Sequence, residues 1–223
     1  MRQEAAQKRA VRERKERLGQ ALQELPKVRE SKKEEDKPQA RASSTDPEAR
    51  VMKMPDGGFR PAYNVQFCVD TASRVIVQAD VSNSGSDQGQ MQPQLLLIQQ
   101  RHGKLPGQHL VDGGFATQEG IEEATAQEVT VYAPVQKPKK EGVNPYEPKP
   151  GDSEAVAAWR KRMGTEQAKE IYKQRCSTVE TVNADAREHR GLDEFVVRGL
   201  RKARCVVLWF AITYNLLRLL AVT

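Results

Sequence analysis

Two short runs carry residues whose types and spacing could do chemistry on a phosphate. The first is Asp112, which closes the β-like run 108–111 and is followed by Gly113 and Gly114. In an α/β sheet, ligand and metal sites gather beyond the C-terminal ends of strands, where side chains converge past the last ladder hydrogen bond. A carboxylate there can hold a divalent cation, and paired glycines permit a tight turn or a close backbone approach. An ordinary turn uses the same residue types. This run alone therefore leaves both readings open.

The second run contains Tyr172, Arg175, Glu180 and Arg187. On a continuous helix, Tyr172, Glu180 and Arg187 fall within about 80° of one another, with Arg175 about 60° to the other side of Tyr172. One face would then present a carboxylate flanked by an aromatic ring and two guanidiniums. Solvent-exposed Arg/Glu pairs give the same pattern and contribute little. Phosphoryl transfer on DNA needs this combination of a carboxylate to meet a metal and guanidiniums to grip phosphate bidentately.

These residues need elements to position them. Residues 1–30 read as a charged helix, with Pro26 the first breaker and a narrow apolar stripe from Val11, Leu18, Leu22 and Leu25. A solvated helix docked by that stripe, half of a helical hairpin, and a DNA-contacting arm all fit it. Residues 31–45 have no apolar side chain larger than alanine and read as a linker or disordered loop. Alternation then predicts a strand with Tyr63, Val65, Phe67 and Val69 on one face and Asn64, Gln66 and Cys68 on the other. A turn at 71–73 and a second β-rich run complete an antiparallel hairpin. A helix from near Pro93 to Gly103, the strand before Asp112, a helix over 118–128 and a strand at 128–135 follow. Residues 136–153 are rich in Pro, Lys and Gly and read as an excursion. Helix is expected from Ser153 to Arg187 with a break at Gly164, where Thr165 is a good N-cap. A short β-like run at 195–199 precedes an apolar helix at about 200–221. Its uncharged stretch, 205–217, is shorter than a membrane span requires, so a buried core helix is expected.

The order hairpin, helix, strand, helix, strand, helix, with Asp at a strand end and Glu on a late helix, resembles the ribonuclease-H-like catalytic domain of DDE transposases. The Tyr-x2-Arg…Glu-x6-Arg pattern resembles the signature around the Glu in transposases of bacterial insertion sequences. The runs at 46–53, 61–67, Val111 to Phe115 and 197–218 look like further blocks of that family. The Arg-to-Glu spacing departs from the family's, with four intervening residues instead of three.

The resemblance implies an α/β fold: an incomplete ribonuclease-H-like domain over 46–223, preceded by a charged helix and linker over 1–45 as part of a helical insertion. It implies Asp112 and Glu180 as catalytic metal ligands, and Tyr172, Arg175, Arg187, Lys139 and Lys140 as DNA contacts. Arg160, Lys137, Lys149 and Lys161 could add phosphate contacts. A two-metal Mg²⁺ or Mn²⁺ site would activate water or a 3′-hydroxyl and stabilise the leaving oxygen. The family's first Asp, in an Asp-Gly-Thr or Asp-Gly-Ser motif on the central strand, has no counterpart here. Asp46 or Asp70 could substitute, with 50–54 filling the strand. A truncated transposase, inactive alone, is therefore expected; alternatives are a non-enzymatic DNA-binding derivative and an active nuclease with a substitute Asp. Terminal inverted repeats, target DNA and a second copy of the chain are the implied partners, with no membrane, in the bacterial cytoplasm near the nucleoid.

Composition fits this frame. The 223 residues carry a net charge of +6 and are 38% hydrophobic, with a mean hydropathy of −0.71 and a pI near 9.2, so anionic partners are favoured. Cys68, Cys176 and Cys205 are too widely spaced for a zinc site or disulfide framework. His102, His109 and His189 show no ligand spacing and are expected at the surface. The charged N-terminus has no apolar signal region.

Overall fold

The computed structural model describes residues 2–54, 56–138 and 142–221. The architecture is mixed α/β, with small sheets between a long N-terminal helix and a long C-terminal one. The chain divides into two compact units: residues 1–66, 79–85 and 191–213 in the first, and 67–78, 86–190 and 214–223 in the second.

In the first unit, α1 (Arg2–Glu30) runs through Pro26. The helix expected over 1–30 therefore forms and carries past Pro26: a proline removes one backbone donor, and Val28 beyond it is buried. The predicted stripe is corrected. Val11, Leu18 and Leu22 are exposed, and α1 is held instead through Ala21 and Val28. Glu24 on this helix pairs with Arg50 at 2.7 Å. The stretch expected to be a linker contains a 3-10 turn, Glu34–Gln39.

The sequence reading missed the pairing of β1 (Arg50–Lys53) with β2 (Phe59–Ala62) as an antiparallel hairpin. Both strands are short and largely solvent-facing, so no hydrophobic alternation marks them. Residues 50–53 are thereby paired with β2 and do not supply a strand between the other sheets. Asp46 anchors this unit: it accepts from the Tyr63 hydroxyl at 2.9 Å and from the Gly199 amide at 2.9 Å. Burial, the Asp46 carboxylate and Glu48 together push the Tyr63 phenol well above its ordinary range. Phe195 meets the Tyr63 ring edge-on at 6.0 Å. The run 195–199, expected as a strand, is a series of bends with Val196 exposed.

Three elements span the division. β3 (Asn64–Val69) and β4 (Ile76–Ser82) pair as a second sheet. On β3 the buried residue is Gln66, on the face the alternation assigned to polar side chains. α7 (Leu200–Leu220) starts with its first amide donating to the Glu48 carboxylate at 3.1 Å, a favourable charge for a helix N-terminus. The expectation of a buried core helix fails. Ala203, Val207, Phe210 and Ala211 are buried, but Trp209, Ile212, Leu216 and Leu220 are exposed. By length and composition alone α7 is long and apolar enough to cross a membrane. Its C-terminal half is bound to the hairpin: the Asn215 side chain exchanges two 2.9 Å hydrogen bonds with the Ile76 backbone, and Arg218 donates to the Ser73 carbonyl.

The second unit holds the larger core. β5 (Gln108–Leu110) and β6 (Thr130–Tyr132) are parallel. Parallel strands need a crossover, and here it is α3 (Gln118–Ala126), capped by the Thr117 hydroxyl. α2 (Met91–His102) precedes β5 and ends, as expected, on Gly103, whose φ of 71° suits a left-handed cap. Met91, Leu95, Val111, Ile121, Val131 and Trp159 pack together under these elements. α4 (Glu154–Met163) and α5 (Glu166–Lys173) cover them, with Ser153 and Thr165 as N-caps. From β3 to α5 the element order is the one expected, but the sheets remain separate pairs.

The stretch 142–153 is packed onto α4. Tyr146 joins the core margin, and Asp152 pairs with Arg160 at 2.7 Å, the two side chains being 3% and 8% exposed. Arg160 is therefore committed inside the unit and cannot be the surface phosphate contact expected of it.

Candidate active site at the end of the parallel strand pair

The parallel pair continues one residue beyond β5, where the Val111 amide donates to the Tyr132 carbonyl at 2.9 Å. Asp112 is the next residue, where the ladder ends and the chain turns. Its carbonyl accepts from Phe115 at 3.0 Å, and its carboxylate oxygen Oδ1 accepts from the Gly113 amide at 2.7 Å. Val111 is buried beneath it and the Asp112 side chain is 59% exposed. Gly114 leaves room on this turn: a Cβ placed there would lie 3.6 Å from a carboxylate oxygen of Asp87. The sequence reading did not single out Asp87, because nothing in its loop ties it to the Asp112 turn.

The helix expected to continue to Arg187 is interrupted. α5 ends at Lys173, a turn occupies 174–178, and the short α6 (Val179–Ala184) leads into a π-helical turn, Asp185–His189. Hydroxyls bond to backbone carbonyls within the interruption. Ser177 and Thr178 both donate to the Gln174 carbonyl, and Thr178 also donates to that of Arg175. Such side-chain bonds compete with the helical ladder. The Glu180 amide then reaches back five residues, to the Arg175 carbonyl at 3.4 Å. A wide turn of this kind absorbs one residue beyond the helical repeat.

The continuous helix expected from the sequence is thus interrupted, yet Arg175 and Glu180 still meet. The Arg175 guanidinium donates to Glu180 at 2.9 Å and lies 3.8 Å from the Asp112 carboxylate. Arg175 is 17% exposed, against 48% for Glu180 and 59% for Asp112. The cation therefore sits on the protein side of the two carboxylates. Tyr172 is half-buried close to Arg175. Burial raises its phenol above the ordinary range, with the Arg175 charge opposing and Asp112 and Glu180 adding to the rise.

Arg187 lies exposed on the π-helical turn, and among the described residues no ion pair joins it to this cluster. Lys137, Lys149 and Lys161 are exposed. Lys139 and Lys140 lie outside the described residues.

The proposed substitutes for a first Asp have other work. Asp46 binds Tyr63 and Gly199, as described above. Asp70 accepts from both the amide and the hydroxyl of Ser73 at 2.7 Å, closing the β3–β4 turn, and these bonds hold its carboxyl below the ordinary range.

Among the described residues no three His, Cys, Asp or Glu side chains converge as a ready metal cage. Two exposed carboxylates facing one guanidinium are nevertheless suitable donors for Mg²⁺, which commonly takes one or two carboxylates and completes its shell with water and substrate phosphate. The histidine expectation changes for His109, which is half-buried on β5 and pushed down to about 4 by burial.

Residues 139–220 match the family described as Transposase DDE domain. The match covers the C-terminal part of the chain and includes Tyr172, Arg175, Glu180 and Arg187, with Asp112 upstream of the matched residues. No curated protein and no solved structure matches the chain.

Proposed function

We propose that the second unit is part of a ribonuclease-H-like catalytic domain, and that its chemistry is the metal-dependent DNA strand cleavage and transfer of transposition. The observation that carries this reading is the convergence of Asp112 and Glu180 on Arg175 at the end of a parallel strand pair. A transposase DDE match over the Glu180 region supports it.

Asp112 and Glu180 would hold the cation, which when bound supplies charge to activate an attacking oxygen and to stabilise the leaving one. Tyr172 would orient Arg175. Arg187 on its exposed turn, with the lysines at 137, 139, 140, 149 and 161, would contact the phosphate backbone in a salt-dependent way. The substrates are the inverted repeats of an insertion sequence and its target DNA, in the bacterial cytoplasm.

One carboxylate oxygen of Asp46 and one of Asp70 are engaged in local hydrogen bonds, which weighs against either as the third carboxylate. This favours DNA and cation binding by the chain without strand cleavage of its own. The test uses the purified protein, a labelled DNA duplex and Mn²⁺. Salt-sensitive DNA binding, with Mn²⁺ binding weakened by Asp112→Asn and by Glu180→Gln, supports the reading. Mn²⁺ binding indifferent to both substitutions overturns it. Cleavage that is lost in Asp87→Asn would make Asp87 the missing ligand and the chain an active nuclease.

A further inference from the structure

The geometry points to Arg175 as a resident counter-cation that competes with the metal for Asp112 and Glu180, and is released to phosphate when the metal binds. This rests on the metal-site reading above and adds an ordered exchange to it.

Three observations carry the inference. Arg175 touches both carboxylates, at 2.9 Å to Glu180 and 3.8 Å to Asp112. It is the most buried of the three, so the carboxylates face solvent while the guanidinium fills the space behind and between them. Tyr172 is half-buried close to the guanidinium, whose charge acts on its phenol. Two carboxylates drawn together repel each other, and the guanidinium offsets that repulsion while no metal is present. A divalent cation arriving between them meets a positive charge already bonded to one of its ligands. Binding must displace or loosen the Arg175–Glu180 bond, and a freed guanidinium is a bidentate phosphate donor. Cation and phosphate therefore assist each other, since phosphate takes up the group the cation releases. Such coupling is reciprocal by thermodynamic necessity.

The experiment measures Mn²⁺ affinity by calorimetry without DNA, in wild type, Arg175→Gln and Arg175→Lys. The expected result is that Arg175→Gln binds Mn²⁺ about tenfold more tightly than wild type, since an ion pair is removed from the competition. Arg175→Lys retains the charge and stays near wild type. Circular dichroism verifies the fold of each variant, and a general loosening would move the lysine variant as well. Equal or weaker Mn²⁺ binding by Arg175→Gln overturns the proposal. Adding Asp112→Asn separates the two failures. If Asp112→Asn still weakens Mn²⁺ binding, only the competition is wrong; if it changes nothing in either background, the metal site itself is wrong.

Discussion

The guanidinium of Arg175 donates to the carboxylate of Glu180 at 2.9 Å across a break in the helix that carries them. The bond survives an irregular backbone because the wide turn after Lys173 returns Glu180 to the side on which Arg175 lies. Asp112 comes to the same guanidinium from the other direction, off the end of a strand. Local helix chemistry and sheet topology meet at one side chain.

Both carboxylates are about half exposed, so their contribution to stability is small. Asp112→Asn and Glu180→Gln are each expected to change unfolding free energy by less than about 1 kcal/mol. Urea denaturation should show midpoints near wild type while Mn²⁺ binding falls. A large loss of stability in either variant would place the residue in the architecture instead.

Asp152 and Arg160 have the opposite balance, since both side chains are buried. Burial pushes the Asp152 carboxyl upward, but bonds from Arg160 and the Lys149 amide outweigh this and hold it below its ordinary range. Asp152→Ala leaves a buried guanidinium unpaired and should cost roughly 3–5 kcal/mol. Because the folded carboxyl is the stronger acid, its stabilisation is complete above the unfolded value near 4 and is lost as pH falls through the lower folded one. Acid titration of wild type and Asp152→Asn would show a steeper loss below about pH 4 in wild type.

Much of this was legible in the residues. Thr165 and Gly103 mark the helix limits they do because their cap chemistry is local. The strand ending at Asp112 was legible because an apolar run stops at an acid and two glycines. The failures involve tertiary relations. The hairpin of β1 and β2 faces solvent and therefore carries no alternation. The break at 174–178 carries hydroxyls that also occur in intact helices. Nothing in the order of residues places Asp87 beside Gly114, or buries Arg160 when the adjacent Lys161 is exposed.

His109 supplies a second pH dependence, in a different window. Burial depresses its imidazole to about 4, whereas an unfolded histidine titrates near about 6.5. Between these values the unfolded chain binds more protons, so stability falls as pH drops through that range. The loss should be on the order of 1–3 kcal/mol by the lower limit. His109→Gln would flatten the curve of unfolding free energy against pH there, leaving the more acidic Asp152 limb in place. An unchanged curve would mean that His109 is solvated in the folded protein.

The three cysteines offer a check on packing that is independent of charge. Cys176 and Cys205 are exposed, whereas burial pushes the Cys68 thiol up to about 12. Cys68 also donates to the Gln94 side-chain oxygen at 3.5 Å, and Gln94 is itself buried on α2. The thiolate is the reactive form, so at about pH 8 a group held that far above the ordinary value is almost wholly protonated. Iodoacetamide should modify Cys176 and Cys205 rapidly and reach Cys68 only at the rate at which β3 opens from α2. Mass spectrometry over a time course would then show two fast additions and one slow one. Urea should collapse the three into a single fast phase. Three equal rates in native buffer would show that β3 and α2 are not packed as described.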